Sequence, residues 1–445
     1  MRKGDVVCLH GTNTPMFLHV FCGVTSNGAS LTIANSQLTP GELLHQIQES
    51  NSRFIVTTPD CVLNAKTVVK QCHQVKNVIV LGDVEGCVPF STIINDSNCS
   101  LPNVNIKPTN DVALLPYSSG TTGLPKGVML THHNLVAQLS QLRHHLYLPF
   151  TSGYDVSIAP LPMVHIAGLV IGLLNPVAQG ATVVTLPRFE PETYLKAIQD
   201  YKGTFSLVAP PVVNFFASHP SVDNYDLSSF HTPYSGAAPL RYGMSETSPA
   251  THTSPLDGWK FGSIGKPLPN TESKVVDIGT GKSLGINEHG ELWVRGPQVM
   301  KGYLNNHKAT EEAINSDGWI KTGDIGYYDE DGHYYIIDRL KEIVKYKGYQ
   351  VAPAYLESVL LAHPDVADSA VIGIPDDVTG ALPRAFIVRK RDISEDKILQ
   401  YVKDRVAPYK QLRGGVEFVD EIPKLPSGKI LRRKLLEMYS SRNKA

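Results

Sequence analysis

The sequence predicts an α/β protein: a large N-terminal domain of layered, mainly parallel sheets and helices with a small β-barrel-like part, then a small α+β C-terminal domain. Through the first half, buried strand-like runs alternate with helical patterns, as in layered parallel sheets. Between residues 262 and 334 the pattern changes to short strands separated by Gly, Asp and Asn turns, the mark of a small barrel or a distorted sheet. Beyond Arg339 a compact alternation of strands and helices runs for about a hundred residues, enough for a separate domain. A chain of 445 residues, 42% apolar, is also too long for one core. The expected domains are residues 1–339 and 340–445.

Each element has its own local signal. Residues 6–9 and 54–57 read as strands, with a helix over 41–49 between them. Apolar runs at 112–115 and 128–130 flank a loop rich in Gly, Ser and Thr, and Thr131 reads as the N-cap of a helix beginning near His132. A strand at 156–160 leads to a helix over 167–174, and Pro191 opens an amphipathic helix over 191–201. In the last part, strands at 369–373 and 385–388 alternate with helices at 353–362 and 394–406.

Composition excludes several classes. A net charge of −1 and a pI near 7.0 argue against a nucleic-acid surface. The basic residues Arg432, Arg433, Lys434, Arg442 and Lys444 read as the solvated face of a last helix. No apolar run approaches the roughly 20 residues needed to span a bilayer. Met1-Arg2-Lys3 has no apolar stretch behind it, so no signal peptide is expected. The six cysteines (8, 22, 61, 72, 87 and 99) show no C-x-x-C pairing, which points to reduced, mostly buried thiols in a cytoplasmic chain. The final Asn443-Lys444-Ala445 is not a Ser-Lys-Leu peroxisomal signal.

The chemistry is written most densely at Tyr117-Ser118-Ser119-Gly120-Thr121-Thr122-Gly123-Leu124-Pro125-Lys126-Gly127. Glycines let the backbone approach a polyphosphate, while N–H groups and hydroxyls donate to its oxygens and Lys126 adds a positive charge. The setting is a strand–loop–strand hairpin. It is not a Walker loop, because Pro125 precedes the lysine and Gly127 follows it. Further segments follow in order: Pro162-Met163-Val164-His165, Tyr242-Gly243-Met244-Ser245-Glu246-Thr247, Lys321-Thr322-Gly323-Asp324, Asp338-Arg339-Leu340-Lys341-Glu342 running on to Gln350, and Pro426-Ser427-Gly428-Lys429-Ile430. Taken singly, each has a bland reading. His165 alone fits a core histidine better than a functional one, and Asp324 with Arg339 could be a turn aspartate and a surface ion pair.

Together the motifs resemble the adenylate-forming superfamily, in its 4-coumarate–CoA ligase, acyl-CoA synthetase and luciferase branch, over residues 4–436 or so. The resemblance implies an ATP-dependent ligase that couples an aryl or fatty carboxylic acid to AMP and then to coenzyme A, with Mg²⁺ as cofactor. Lys429 would bridge the carboxylate and α-phosphate, where cations act on the developing charge. Glu246 would hold Mg²⁺, a hard cation suited to one carboxylate plus phosphate oxygens. Gly236, Ala237 and Ala238 would contact adenine, with Tyr242, Gly243 and Thr247 completing the nucleotide site. Asp324, helped by Arg339, would accept the ribose hydroxyls, and His165 would line the acyl pocket. Lys341 matches the hinge about which a mobile C-terminal domain swings. Lys345 and Gln350 match residues that serve thioester formation, with Lys347 and Gly348 in the loop that contacts CoA. Beyond the small-molecule acid, ATP and CoA, no partner is implied, and a monomer or weak dimer is expected. The alternatives are a non-catalytic member that binds nucleotide or partners, and a luciferase-like monooxygenase.

Two departures from the family pattern bear on the fold. The chain is expected to start inside its first subdomain. In relatives a helical crossover links the Ser235-to-Leu240 element to the Tyr242 element, whereas here Arg241 alone joins them. A parallel crossover needs at least about ten residues. Either the sheet is rebuilt at this point, or Glu246 and Gly236–Ala238 cannot both reach the places the resemblance implies; without the crossover helix, apolar sheet surface is expected to lie bare and the chain to be unstable or inactive.

Overall fold

The computed structural model describes all residues except 98–102, 119–124, 236–240, 256–257, 341, 347–348, 377, 407, 425–429 and 443–445. The chain divides into two compact units, Met1–Ser273 with Val294–Ile320, and Lys274–Trp293 with Lys321–Ala445.

The first unit is built on a large sheet whose strands run in the order Gly302–Tyr303, Lys126–Thr131, Val112–Leu115, Ser30–Asn35, Val6–Gly11, Ser52–Thr57, Asn77–Val80 and Val88–Pro89. Val6–Gly11 pairs in parallel with both neighbours, while Lys126–Thr131 is antiparallel to Val112–Leu115 and to Gly302–Tyr303. The helix Pro40–Glu49 returns the chain between parallel strands; Thr39 caps it, its hydroxyl accepting from Glu42 N–H at 3.3 Å while its own N–H donates to the Glu42 carboxylate at 2.8 Å. Its Leu43 and Ile47 pack with Ile55 and Val68. A second sheet is wholly parallel, in the order Thr182–Thr185, Val156–Ala159, Phe205–Val208, Thr232–Ser235. The helix Pro191–Tyr201 covers it with Tyr194, Ala197 and Ile198. A small antiparallel sheet follows, of Arg241–Gly243, Ala250–Thr253 and Lys266–Pro267.

In the second unit the short-strand pattern resolves into a four-stranded sheet, Glu272–Val276, Gly290–Arg295, Ile320–Tyr328, Tyr334–Arg339, one of the two forms expected there. The C-terminal sheet has the order Tyr349–Val351, Val344–Tyr346, Gly380–Arg389, Val366–Asp376, with Val416–Phe418 parallel to Gly380–Arg389. Helices Pro353–Leu361 and Glu395–Lys403 pack on it through Leu356, Leu360, Ile398 and Val402. No helix of the described residues is long and apolar enough to cross a membrane. The described cysteines are unpaired; Cys8, Cys61 and Cys72 are buried, Cys22 is exposed and Cys87 is half-buried.

On either side of residues 236–240 the chain does not continue the parallel sheet. Thr232–Ser235 ends the parallel sheet as its edge, and Arg241–Gly243 turns into the antiparallel sheet instead of adding a parallel strand. That edge is not bare. The Arg241 guanidinium lies 3.0 Å from the Tyr234 ring centroid, with Nε donating to Thr253 Oγ1 at 3.0 Å and Nη1 to the Ser235 carbonyl at 2.9 Å. Tyr234 and Ser235 are buried as a result. Because this cation is enclosed and bonded on both sides, Arg241→Ala should destabilise the chain by about 2–3 kcal/mol. A urea midpoint unchanged within error would show that Arg241 does not brace the edge.

Candidate active site

In the first unit the hairpin that flanks the Gly/Ser/Thr-rich segment is closed by the register pairs Ser118↔Lys126 and Tyr117↔Gly127. Thr131 ends the second strand and caps the helix His132–Leu142, accepting from Asn134 N–H at 3.2 Å. A Cβ on Gly127 would lie 3.2 Å from Leu304 Cβ and 3.3 Å from the Tyr117 ring, so a side chain there would crowd the hairpin against residue 304.

Glu246 sits in the single 3₁₀ turn Ser245–Thr247 and is 9% exposed. Its carbonyl accepts from Met300 N–H at 2.8 Å and its Oε1 accepts from the Tyr303 hydroxyl at 2.9 Å. Oε2 takes no hydrogen bond among the described residues. The face of the same Tyr303 ring lies 5.0 Å from Lys126 Nζ. Burial and the neighbouring Glu246 carboxylate push the Tyr303 phenol far above its ordinary pKa, so it remains a donor. Tyr303 carried no motif signal in the sequence, since its partners come from residues 126 and 246. Thr247 is fully buried and its hydroxyl is engaged by the backbone, donating to Pro249 O at 2.8 Å and accepting from Met244 N–H at 3.0 Å. Tyr242 and Gly243 pair with His252 and Ala250; a Cβ on Gly243 would fall 1.8 Å from Pro249 O, so only glycine allows this approach.

His165 stands beyond the carboxyl end of the strand Val156–Ala159, the edge where parallel sheets carry their sites. It is the extended N-cap of Ile166–Leu169, which continues through a π-turn, Val170–Leu174, into Asn175–Ala178. Its N–H donates to Pro162 O at 3.1 Å, and a Cβ on Gly168 would meet that oxygen at 2.2 Å. Asn13, which no motif flagged, pins the turn. Its Oδ1 accepts from Met163 N–H at 2.7 Å while Nδ2 donates to Leu161 O at 2.8 Å and Leu186 O at 3.1 Å. The His165 ring keeps solvent access, but the protein around it lowers its pKa, favouring a neutral imidazole.

In the second unit Asp324 and Arg339 are cross-strand register partners with an ion pair of 3.3 Å. The Asp324 side chain is 6% exposed and that of Arg339 is 42% exposed. Gly323 supplies the left-handed turn before it, at φ +70. Lys345 and Gln350 are register partners in the hairpin Val344–Tyr346/Tyr349–Val351. Next to these lies a cluster of charges. Arg432 Nη2 bonds both Glu357 oxygens, at 2.8 and 3.0 Å, and Nη1 pairs with Glu342 Oε2 at 3.0 Å. Asp338 accepts from Arg339 N–H at 2.7 Å and from Ala354 N–H at 2.9 Å. Ser119, Gly120, Thr121, Thr122, Gly123, Gly236, Ala237, Ala238, Lys341, Lys347, Gly348 and Lys429 lie outside the described residues.

A roomy apolar trough of about 700 Å³, lined by Val7, Val20, Phe54, Val56, Ile79 and Phe90 among others, contains none of the motif residues. Volume alone does not locate the chemistry. Among the described residues no group of His, Cys, Asp and Glu could form a dedicated metal cage. One buried carboxylate with an unengaged oxygen fits a cation that takes its remaining ligands from phosphates and water.

Comparison with known proteins agrees. The model of the AMP-binding enzyme family matches residues 1–241 and 241–304, breaking at Arg241, and that of the AMP-binding enzyme C-terminal domain matches 355–429. Probable 4-coumarate–CoA ligase 1 of Dictyostelium discoideum is 40% identical over 98% of this chain and 86% of its own length. 4-Coumarate–CoA ligase 2 of Nicotiana tabacum is 41% identical over 98% and 85%. ATP-bound MatB from Rhodopseudomonas palustris superposes with a TM-score of 0.89 at 28% identity, covering 99% of this chain and 89% of that one. The o-succinylbenzoate CoA synthetase MenE of Bacillus subtilis, in complex with its acyl-adenylate intermediate OSB-AMP, gives 0.83 at 29% identity, covering 98% and 88%. The fold and motifs define an adenylate-forming enzyme. The chain belongs to the AMP-binding enzyme family, among its acid–CoA ligases.

The charge cluster sets a pH dependence. Burial pushes the Glu357 carboxyl from 4.5 up to about 7, against the opposing pull of Arg432, and burial also raises Asp338. Folded Glu357 therefore binds more protons than unfolded Glu357 between these values. Its contribution to stability is full below pH 4.5 and is lost as the pH rises through about 7. Melting temperatures of the whole chain across this range should show Glu357→Gln flattening that decline. An unchanged slope would remove Glu357 from the account.

Proposed function

We propose that the chain is an ATP-dependent acid–CoA ligase for an aryl acid resembling 4-coumarate or for a fatty acid. A carboxylate oxygen attacks the α-phosphorus of ATP and pyrophosphate leaves. The CoA sulfur then attacks the acyl carbon, its proton is lost, and AMP leaves. The observation that carries the reading is the flanking of one ring, Tyr303, by Lys126 and Glu246 beside the phosphate-loop hairpin. A cation for phosphate oxygens and a carboxylate for Mg²⁺ are what a metal–triphosphate requires. When bound, Mg²⁺ would neutralise phosphate charge; Glu246 would hold it through Oε2.

The other roles are assigned by motif. The segment 119–123 with Ser118 donates to phosphate oxygens, and Gly236, Ala237, Ala238, Tyr242, Gly243 and Thr247 enclose adenine. Asp324 accepts from the ribose hydroxyls beside Arg339. His165 meets the acid as a neutral ring, and Lys429 neutralises the approaching carboxylate and α-phosphate. With a domain boundary at 339/340, Lys341 acts as the hinge, after which Lys345, Lys347, Gly348 and Gln350 serve thiol attack. The 4-coumarate–CoA ligases at about two-fifths identity support the aryl acid as the first substrate to try.

Lys429→Ala should lower acid-dependent ATP–pyrophosphate exchange by two orders of magnitude or more, while thioester formation from presupplied acyl-adenylate falls much less. Equal losses in both steps would remove Lys429 from the first one. Lys341→Pro locks φ and deletes a donor at the pivot, so exchange should stay within an order of magnitude while CoA transfer is abolished. Comparable loss of both, with circular dichroism unchanged, would place the hinge elsewhere.

A further inference from the structure

The geometry points to Tyr303 as a positioning residue that orients the Glu246 carboxylate toward the nucleotide's divalent cation and keeps Lys126 from neutralising it. The inference rests on the metal–nucleotide reading above.

Tyr303 is held through its backbone and through its hydroxyl. Its strand, Gly302–Tyr303, pairs with Lys126–Thr131 through Tyr303↔Val128 and Gly302↔Met129. The Tyr303 N–H donates to Thr310 Oγ1 at 2.9 Å, and the next N–H, of Leu304, donates to Gly127 O at 2.8 Å. Gly302, at φ +147, lies where a Cβ would fall 2.7 Å from Thr310 Cγ2, so a side chain there would displace the strand. The ring therefore has little freedom. Its hydroxyl reaches Glu246 Oε1 at 2.9 Å, and Met300 N–H holds the Glu246 carbonyl at 2.8 Å. Backbone and side chain of the metal-binding candidate are thus both tied to residues 300–303. Oε1 is spent on the phenol and Oε2 is the oxygen left for a ligand.

The ring also separates two opposite charges. Lys126 Nζ stands over the face of Tyr303, 5.0 Å from its centroid, while Glu246 meets the hydroxyl at the ring's end. No ion pair joins Lys126 to Glu246 among the described residues. A direct pair would withdraw the cation from the phosphates and the carboxylate from the metal. A cation–π contact holds the lysine in place while leaving its charge intact.

Groups that orient a metal ligand typically contribute 10–100-fold to metal affinity. Tyr303→Phe removes the hydroxyl and keeps the ring, so it tests the orienting role. Mn²⁺ titrated by electron paramagnetic resonance into the full chain with α,β-methylene-ATP should bind about 10–100-fold more weakly in this variant. The KM for metal–ATP in pyrophosphate exchange should rise correspondingly, while CoA transfer from presupplied adenylate is unchanged. Tyr303→Leu removes the spacer too and should also weaken metal-free nucleotide binding, which Tyr303→Phe should not. Should Tyr303→Leu fail to fold, Tyr303→Phe decides alone. Glu246→Ala separates the levels of the claim. If it leaves Mn²⁺ binding at the wild-type value, the metal reading itself fails. If it abolishes binding while Tyr303→Phe binds like wild type, only the role of Tyr303 is overturned.

Discussion

The antiparallel pairing of the short strand Gly302–Tyr303 with Lys126–Thr131 is the constraint on which the first unit's site depends. It adds a distant part of the chain to the edge of the largest described sheet, next to the hairpin Tyr117–Ser118/Lys126–Thr131. Backbone hydrogen bonds fix its register, and register decides which side chain lies on which face of the sheet. With Tyr303 opposite Val128, the ring comes to Lys126 and the hydroxyl to Glu246. Shifting the register by one residue would turn that ring to the other face of the sheet. The 3₁₀ turn carrying Glu246 is anchored to the same segment through Met300 N–H, which donates to the Glu246 carbonyl.

The wholly parallel sheet contributes differently. Its strands direct their carboxyl ends to one edge, and that edge receives the turn ending in His165. Asn13 bonds three backbone groups of surrounding loops and makes the turn rigid from outside, while Gly168 admits the close approach of the following helix. At the sheet's far edge, the half-buried Arg241 guanidinium lies over the Tyr234 ring and donates to Thr253 Oγ1 and to the Ser235 carbonyl. The family-model match breaks at the same residue, the place where this chain departs from its relatives.

In the second unit, Asp338, Glu342 and Glu357 gather around the single guanidinium of Arg432. Buried groups of this kind are costly unless every member is bonded, and they then hold the elements they join in one arrangement. Here they join the end of the strand Tyr334–Arg339, the helix Pro353–Leu361 and the start of the helix Arg432–Arg442. The unit thereby carries a titratable connection next to the Asp324–Arg339 ion pair.

Local order was legible in the sequence because it is written in short-range chemistry. The Thr131 cap, the helix from Pro191 to Tyr201, the hairpin around the Gly/Ser/Thr loop and the family itself follow from residues a few positions apart. The motifs also named Glu246, His165, Asp324 and Arg339. They did not name Tyr303, Asn13, Arg432 or the bracing role of Arg241, whose partners lie far away along the chain. The sequence by itself therefore determined the α/β class, several helix starts, the hairpin and the kind of chemistry, because capping, periodicity and turn preferences act within one or two turns of chain. Only the tertiary structure decided how the parallel sheet ends and which tyrosine separates Lys126 from Glu246. Those outcomes depend on strand register and on which buried charges find partners, and long-range packing sets both.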